Sequence, residues 1–132
     1  MILSGCAAGP QRAVCFKEGC VNVELAQTPA EWQMGLSKRT SLDKDSGMLF
    51  IFPIVDQYQF WMKDTYMPLD IVWINESNYV IHIEKNLQPC KADPCPSYGP
   101  ADKSRYVLEL NAGKADELKL KEGSSTEFRF KL

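Results

Sequence analysis

Phe60-Trp61-Met62-Lys63-Asp64-Thr65-Tyr66-Met67-Pro68-Leu69-Asp70-Ile71-Val72-Trp73-Ile74 decides how this chain folds. Residues 58–63 and 69–74 are rich in aromatic and β-branched side chains, the composition of strands, and Pro68 sets a tight bend between them. Alternation sends Tyr58, Phe60 and Met62 to one face of the first run and Gln59, Trp61 and Lys63 to the other. In the second run Asp70 shares its face with Val72 and Ile74, so its carboxylate lies on a strand that is apolar on both sides. Such a charge needs a partner. Lys63 and Arg39 are the candidates.

Working outward, the period stays mostly at two. Val21, Val23 and Leu25 alternate with Asn22 and Glu24, and Gly47-Met48-Leu49-Phe50-Ile51-Phe52 is an apolar run closed by Pro53. Residues 79–84, 105–110 and 126–132 complete about seven strands. Thr28-Pro29-Ala30-Glu31 combines an N-cap threonine, a proline at the first helical position and a glutamate placed for a capping box, which predicts a helix over 29–38. A shorter helix is expected after Asn111 as its cap, ending before Glu122-Gly123. Short turns between antiparallel strands, with two short helices at the rim, predict a mainly β (α+β) fold: a compact antiparallel β-sandwich or partly closed barrel.

The N-terminus speaks to location. Leu3-Ser4-Gly5-Cys6 has the shape of a bacterial lipoprotein cleavage site, in which Cys6 becomes the lipid-bearing mature N-terminus. Only Met1, Ile2 and Leu3 stand where an apolar core of ~7–15 residues belongs, so residues 1–5 read as the remnant of a signal peptide. Residues 6–13 then read as a lipidated tether, and 14–132 as one globular domain. The other four cysteines fall into Cys15 with Cys20 and Cys90 with Cys95, each pair enclosing a turn-like segment that favours local disulfides. Four cysteines allow three connectivities, and a four-thiolate zinc site is the competing reading, although its knuckles are usually tighter. Disulfides agree with export, and no metal or other cofactor is expected.

Composition adds exclusions. The 132 residues carry a formal charge of −2, so there is no basic excess of the kind nucleic-acid binding requires. No apolar run reaches the ~18 residues of a membrane span, so attachment falls to the lipid on Cys6. The expected location is the periplasm or cell surface, and the expected state is a monomer.

Gly35-Leu36-Ser37-Lys38-Arg39, the 47–52 run, the segment from Phe60 to Ile71 and Tyr106-Val107-Leu108-Glu109-Leu110-Asn111-Ala112-Gly113 occur in an order that resembles the domain-of-unknown-function family 192 over about residues 21–130. Asp64 stands where that family more often has Asn. The resemblance implies a small, mainly β domain, often exported or lipid-anchored, and members often carry the loop seen here at Pro89-Cys90 and Pro94-Cys95-Pro96-Ser97-Tyr98. It implies no reaction.

Glu109 alternates with Val107 and has the same buried character as Asp70. Arg39, Trp61, Lys63, Asp70, Tyr98 and Glu109 therefore form the candidate functional set, equally readable as ion pairs that staple helix and loops to the sheet. Met34, Met48, Met62 and Met67 read as packing, and His82, the sole histidine, as a surface or hydrogen-bonded residue. Nucleophile triads and catalytic zinc find no support. Two classes remain. One is a binding module for an envelope glycan or peptide, or for another envelope protein, near Trp61, Lys63 and Tyr98. The other is an enzyme using Asp70 and Glu109 as a carboxylate pair.

Overall fold

The computed structural model describes residues 12–130. Its strands are β1 (Ala13–Phe16), β2 (Gly19–Ala26), β3 (Ser46–Asp56), β4 (Phe60–Trp61), β5 (Leu69–Ile74), β6 (Val80–Leu87), β7 (Ser97–Tyr98), β8 (Ser104–Asn111) and β9 (Glu127–Arg129), with helices α1 (Pro29–Met34) and α2 (Lys114–Glu117). Seven strands form one sheet in the order β6-β5-β8-β3-β2-β1-β9, while β4 and β7 pair separately. The segment leading into β9 reaches the far edge of the sheet, where Tyr79 bridges Ser125, Val80 N–H donates to Ser124 O and Thr126 N–H donates to Asn78 O. The sheet is therefore curled into a partly closed barrel. This is the barrel form of the expected fold.

One pairing departs from the antiparallel expectation. β2 and β3 run parallel, because the connection between them crosses back through α1 and residues 35–45. β3 also continues through Pro53, which lies in the interval between the paired residues Ile51 and Asp56, where its missing N–H breaks no ladder bond. The strand expected over 58–63 shrinks to β4, and β1 begins at Ala13, inside the stretch read as tether. The Leu3–Cys6 motif, and with it the lipidation expected at Cys6, lies outside the described residues.

The alternation read from sequence separates two apolar cores. Val72, Ile74, Leu108 and Leu110 face the inside of the curl with Val14, Val21, Leu49 and Leu118. Leu69, Ile71, Trp73 and Val107 face the other way with Met48, Phe50, Phe52, Met62 and Met67. Over this second face lie α1 and a strap of residues 57–68. Trp32 of α1 anchors the helix by donating its indole N–H to Ala26 O and Ile51 O. The strap is held by the β4–β7 pairing, by Cys90 N–H to Met62 O and by Lys38 N–H to Asp64 O. Asp64 has φ 57, a left-handed conformation that Asp and Asn tolerate best, which accounts for both residues at this place.

The capping box on α1 is formed, with Thr28 Oγ1 accepting from Glu31 N–H and the Glu31 carboxylate accepting from Thr28 N–H. The helix stops at Met34 and not at residue 38, because Gly35 turns to φ 48 and its N–H bonds back to Glu31 O. α2 is capped by Gly113 at φ 95, whereas Asn111 ends β8 and gives its side-chain amide to Leu42 O and Asp43 O.

Cys15 faces Cys20 across the β1–β2 turn and Cys90 pairs with Cys95, both at disulfide-bond distance. The two local bridges fit an oxidising, non-cytoplasmic environment. No helix among the described residues is long and apolar enough to cross a membrane. Peptide mapping of the unreduced protein should recover Cys15–Cys20 and Cys90–Cys95 links. Any link between the two pairs would contradict this connectivity.

Candidate functional site

Between α1 and the strap lies a cleft of ≈330 Å³. Its walls are aromatic because the second face of the sheet is: Trp32, Phe50, Phe52, Tyr58, Phe60 and Trp61 all line it. Most of these rings are locked by one another. Phe52 stacks on Tyr58 at 3.7 Å between centroids, and Phe60 stands edge-on to Phe50 at 4.9 Å and to Trp73 at 6.0 Å. Trp73 in turn donates its indole N–H to Tyr58 O, which pins the strap from beneath.

Glu109 is, with Thr65, one of the two buried polar residues of the lining. β8 places it opposite Met48 of β3 and Ile71 of β5, on the same face as Val107 and under Gly35. It is 5% exposed, and its Oε1 is buried without a hydrogen-bond partner. With no cation or N–H to compensate, burial pushes its pKa up to about 8. At neutral pH the carboxyl is then mostly protonated and offers one O–H donor. Gly35 packs over this floor, since a Cβ there would lie 3.7 Å from Oε1 and 3.2 Å from the Phe50 ring, so any side chain at this position would crowd the carboxyl.

The rim is wetter. Trp61 is 53% exposed, and the Lys63 ammonium sits 5.3 Å from its ring centroid while reaching Asp93 at 3.3 Å. Gln33, Ser37 and Gln59 add amides and a hydroxyl. Lys63, Tyr58 and Glu109 are the titratable groups of the lining. The Tyr58 hydroxyl donates to Ile54 O, and its pKa is raised by partial burial and by Asp56.

The six sequence-derived candidates do not form one cluster. Trp61, Lys63 and Glu109 meet in the cleft. Tyr98 is the register partner of Phe60 and packs behind it against the second core. Arg39 makes a two-pronged ion pair with Glu24 away from the cleft, which lowers the Glu24 pKa and raises its own. Asp70 is 1% exposed and lies on the opposite face of the sheet from Glu109. Its partners are neither Lys63 nor Arg39 but three backbone N–H groups, of Asn86, Gly113 and Ala115. Asp70 thus stitches β6 and the start of α2 to β5. With Asp70 and Glu109 on opposite faces, the carboxylate pair expected for an enzyme is not formed.

Among the methionines, Met48, Met62 and Met67 are buried as expected, while Met34 is exposed. His82 hydrogen-bonds to Glu84 on the surface of β6. No group of three or more His, Cys, Asp or Glu able to hold a metal occurs among the described residues. Sequence reading did not bring Trp32, Gln33, Phe52 and Gln59 to the site. For Trp32 and Gln33 the local signal is Gly35, a residue that can end a helix, while Phe52 and Gln59 reach the cleft only through tertiary structure.

A family model, DUF192, described as "Uncharacterized ACR", matches residues 13–128. Among solved structures, a protein of unknown function from Novosphingobium aromaticivorans DSM 12444 is 34% identical, with a TM-score of 0.78 and coverage of 89% of this chain and 83% of that one. A protein from Sinorhizobium meliloti 1021 described as a "putative transcription regulator" is 32% identical, with a TM-score of 0.80 and coverage of 94% and 98%. No protein of curated description matches the chain.

Proposed function

The chain belongs to the uncharacterised DUF192 family, and within it we propose that this protein is an exported binding module whose cleft takes an envelope glycan. The observation that carries this reading is the unpartnered carboxyl of Glu109 at the floor of a cleft with aromatic walls. A buried polar group without a partner costs on the order of 1–3 kcal/mol, and a ligand that supplies the partner recovers that cost. Pre-formed clefts of this kind, apolar with a few convergent polar groups, are the usual form of small-ligand sites. Trp61 offers a flat, exposed ring at the rim, and Gln33, Ser37, Gln59 and Lys63 offer donors and acceptors around it. That combination suits a pyranose better than a charged metabolite.

The lipoprotein-like Leu3-Ser4-Gly5-Cys6 motif supports anchoring through a lipid on Cys6, and the two disulfides support work outside the cytoplasm. The regulator description of the Sinorhizobium protein is not extended to this chain, whose formal charge of −2 comes without the basic excess that DNA binding uses.

Melting curves with soluble glycan fragments and with short peptides test the reading. A glycan near 100 times its Kd adds about 2.7 kcal/mol to native stability and raises Tm accordingly. Trp61→Ala, at an exposed position, should keep wild-type stability within about 1 kcal/mol and lose the glycan-induced shift. A shift by peptides alone, or an undiminished glycan shift in the variant, would overturn it.

A further inference from the structure

The cleft has a chemically divided interior. Its rim carries amides, a hydroxyl and the Lys63 ammonium, while its buried lining is apolar except for the Glu109 carboxyl and the Thr65 hydroxyl, which donates to Lys63 O. A ligand group that enters the floor must do two things at once. It must present an oxygen acceptor, because the carboxylic acid offers an O–H, and it must present apolar surface, because Phe50, Phe52, Phe60 and Leu36 line the same cleft.

A bare sugar hydroxyl meets only the first demand and leaves the space beside the rings empty. An ammonium meets neither, and it would also face Lys63. An acyl group meets both: its carbonyl oxygen accepts from Glu109, and its methyl packs on the aromatic walls. Resting on the glycan-binding reading, we propose that the cleft recognises N-acylated amino sugars, with the acetamido carbonyl held by Glu109 and the pyranose ring laid against Trp61.

Two trisaccharides isolate the claim. Chitotriose and cellotriose share a β-1,4-linked pyranose backbone and differ in carrying an acetamido group or a hydroxyl at each C2. By calorimetry near neutral pH, wild-type protein should bind chitotriose about tenfold tighter than cellotriose. Glu109→Met removes the donor at similar volume and should bring the two within about twofold. Glu109→Gln retains an N–H donor and should preserve the preference, including at alkaline pH, where wild-type protein loses it as its acid ionises.

Equal binding of the two sugars by wild-type protein would overturn the acyl inference while leaving glycan binding intact. Absence of binding to either at millimolar concentration would overturn both. A preference that survives in Glu109→Met would also refute the role given to this carboxyl.

Discussion

Asp70→Asn should lower native stability by roughly 3 kcal/mol, equivalent to a fall in Tm on the order of 10 °C for a chain of this size. The carboxylate accepts Asn86 N–H at 2.8 Å through one oxygen, and Gly113 and Ala115 N–H at 3.0 and 2.9 Å through the other. An amide can present only one oxygen. Whichever way it turns, its NH₂ group meets N–H donors in a site that is 1% exposed, leaving at least one of them buried and unpaired. Loss should begin at α2 and β6, the elements these bonds attach. Hydrogen exchange at Gly113 and Ala115 should rise before that of the β3–β8 pairing. A variant within about 0.5 kcal/mol of wild type would show that Asp70 does not hold these elements. At temperatures where the variant is folded, ligand binding in the cleft should be unaffected, since Asp70 faces the other side of the sheet.

Glu109→Gln should have its largest effect on the pH dependence of stability. In the folded protein burial holds the carboxyl near pKa 8, against an ordinary value of 4.5. Between those values the native state retains a proton that the unfolded chain releases, so stability falls as pH rises. The contribution is fully present below pH 4.5, is lost as pH climbs, and levels off above 8. The interval corresponds to roughly 5 kcal/mol. Gln carries no ionisable proton, so the stability of the variant relative to wild type should climb steadily across this range. Subtracting the two pH profiles cancels groups common to both, including Glu24 and Asp45, whose pKa values are lowered by Arg39 and Lys114 and whose contributions vanish at acid pH. Parallel profiles from pH 5 to 9 would mean that Glu109 is ionised in the native state.

Much of the fold is legible in the chain because its signals are local. Alternation locates β2, β5, β6 and β8, and the Thr28-Pro29-Ala30-Glu31 cap locates α1, since each depends on neighbours a few residues away. Alternation over 58–63 overstates β4, which is two residues long, and β7, also two residues, exists only because Tyr98 meets Phe60 across distant segments, so no periodicity marks it. The parallel β2–β3 pairing is hidden for the same reason, being set by the path of the crossover. The site divides along this line too. The faces of Asp70 and Glu109 follow from alternation, and the register Ile71 to Glu109 and Asp70 to Leu110 puts them on opposite sides. What satisfies Asp70 was not readable, because its donors are backbone groups of loops brought in by tertiary structure. Arg39 looked like a partner for a buried carboxylate and found Glu24 at the surface instead.

The function proposed for this cleft depends on Glu109 being a neutral hydrogen-bond donor in the cleft lining. A carbon-13 NMR titration of the Glu109 side-chain carboxyl tests that directly. The resonance should be that of the protonated acid at neutral pH, should titrate with a midpoint near 8, and should shift to a higher midpoint when chitotriose is bound, because the ligand selects the proton-donating form. A midpoint near the ordinary 4.5, unmoved by the sugar, would contradict it.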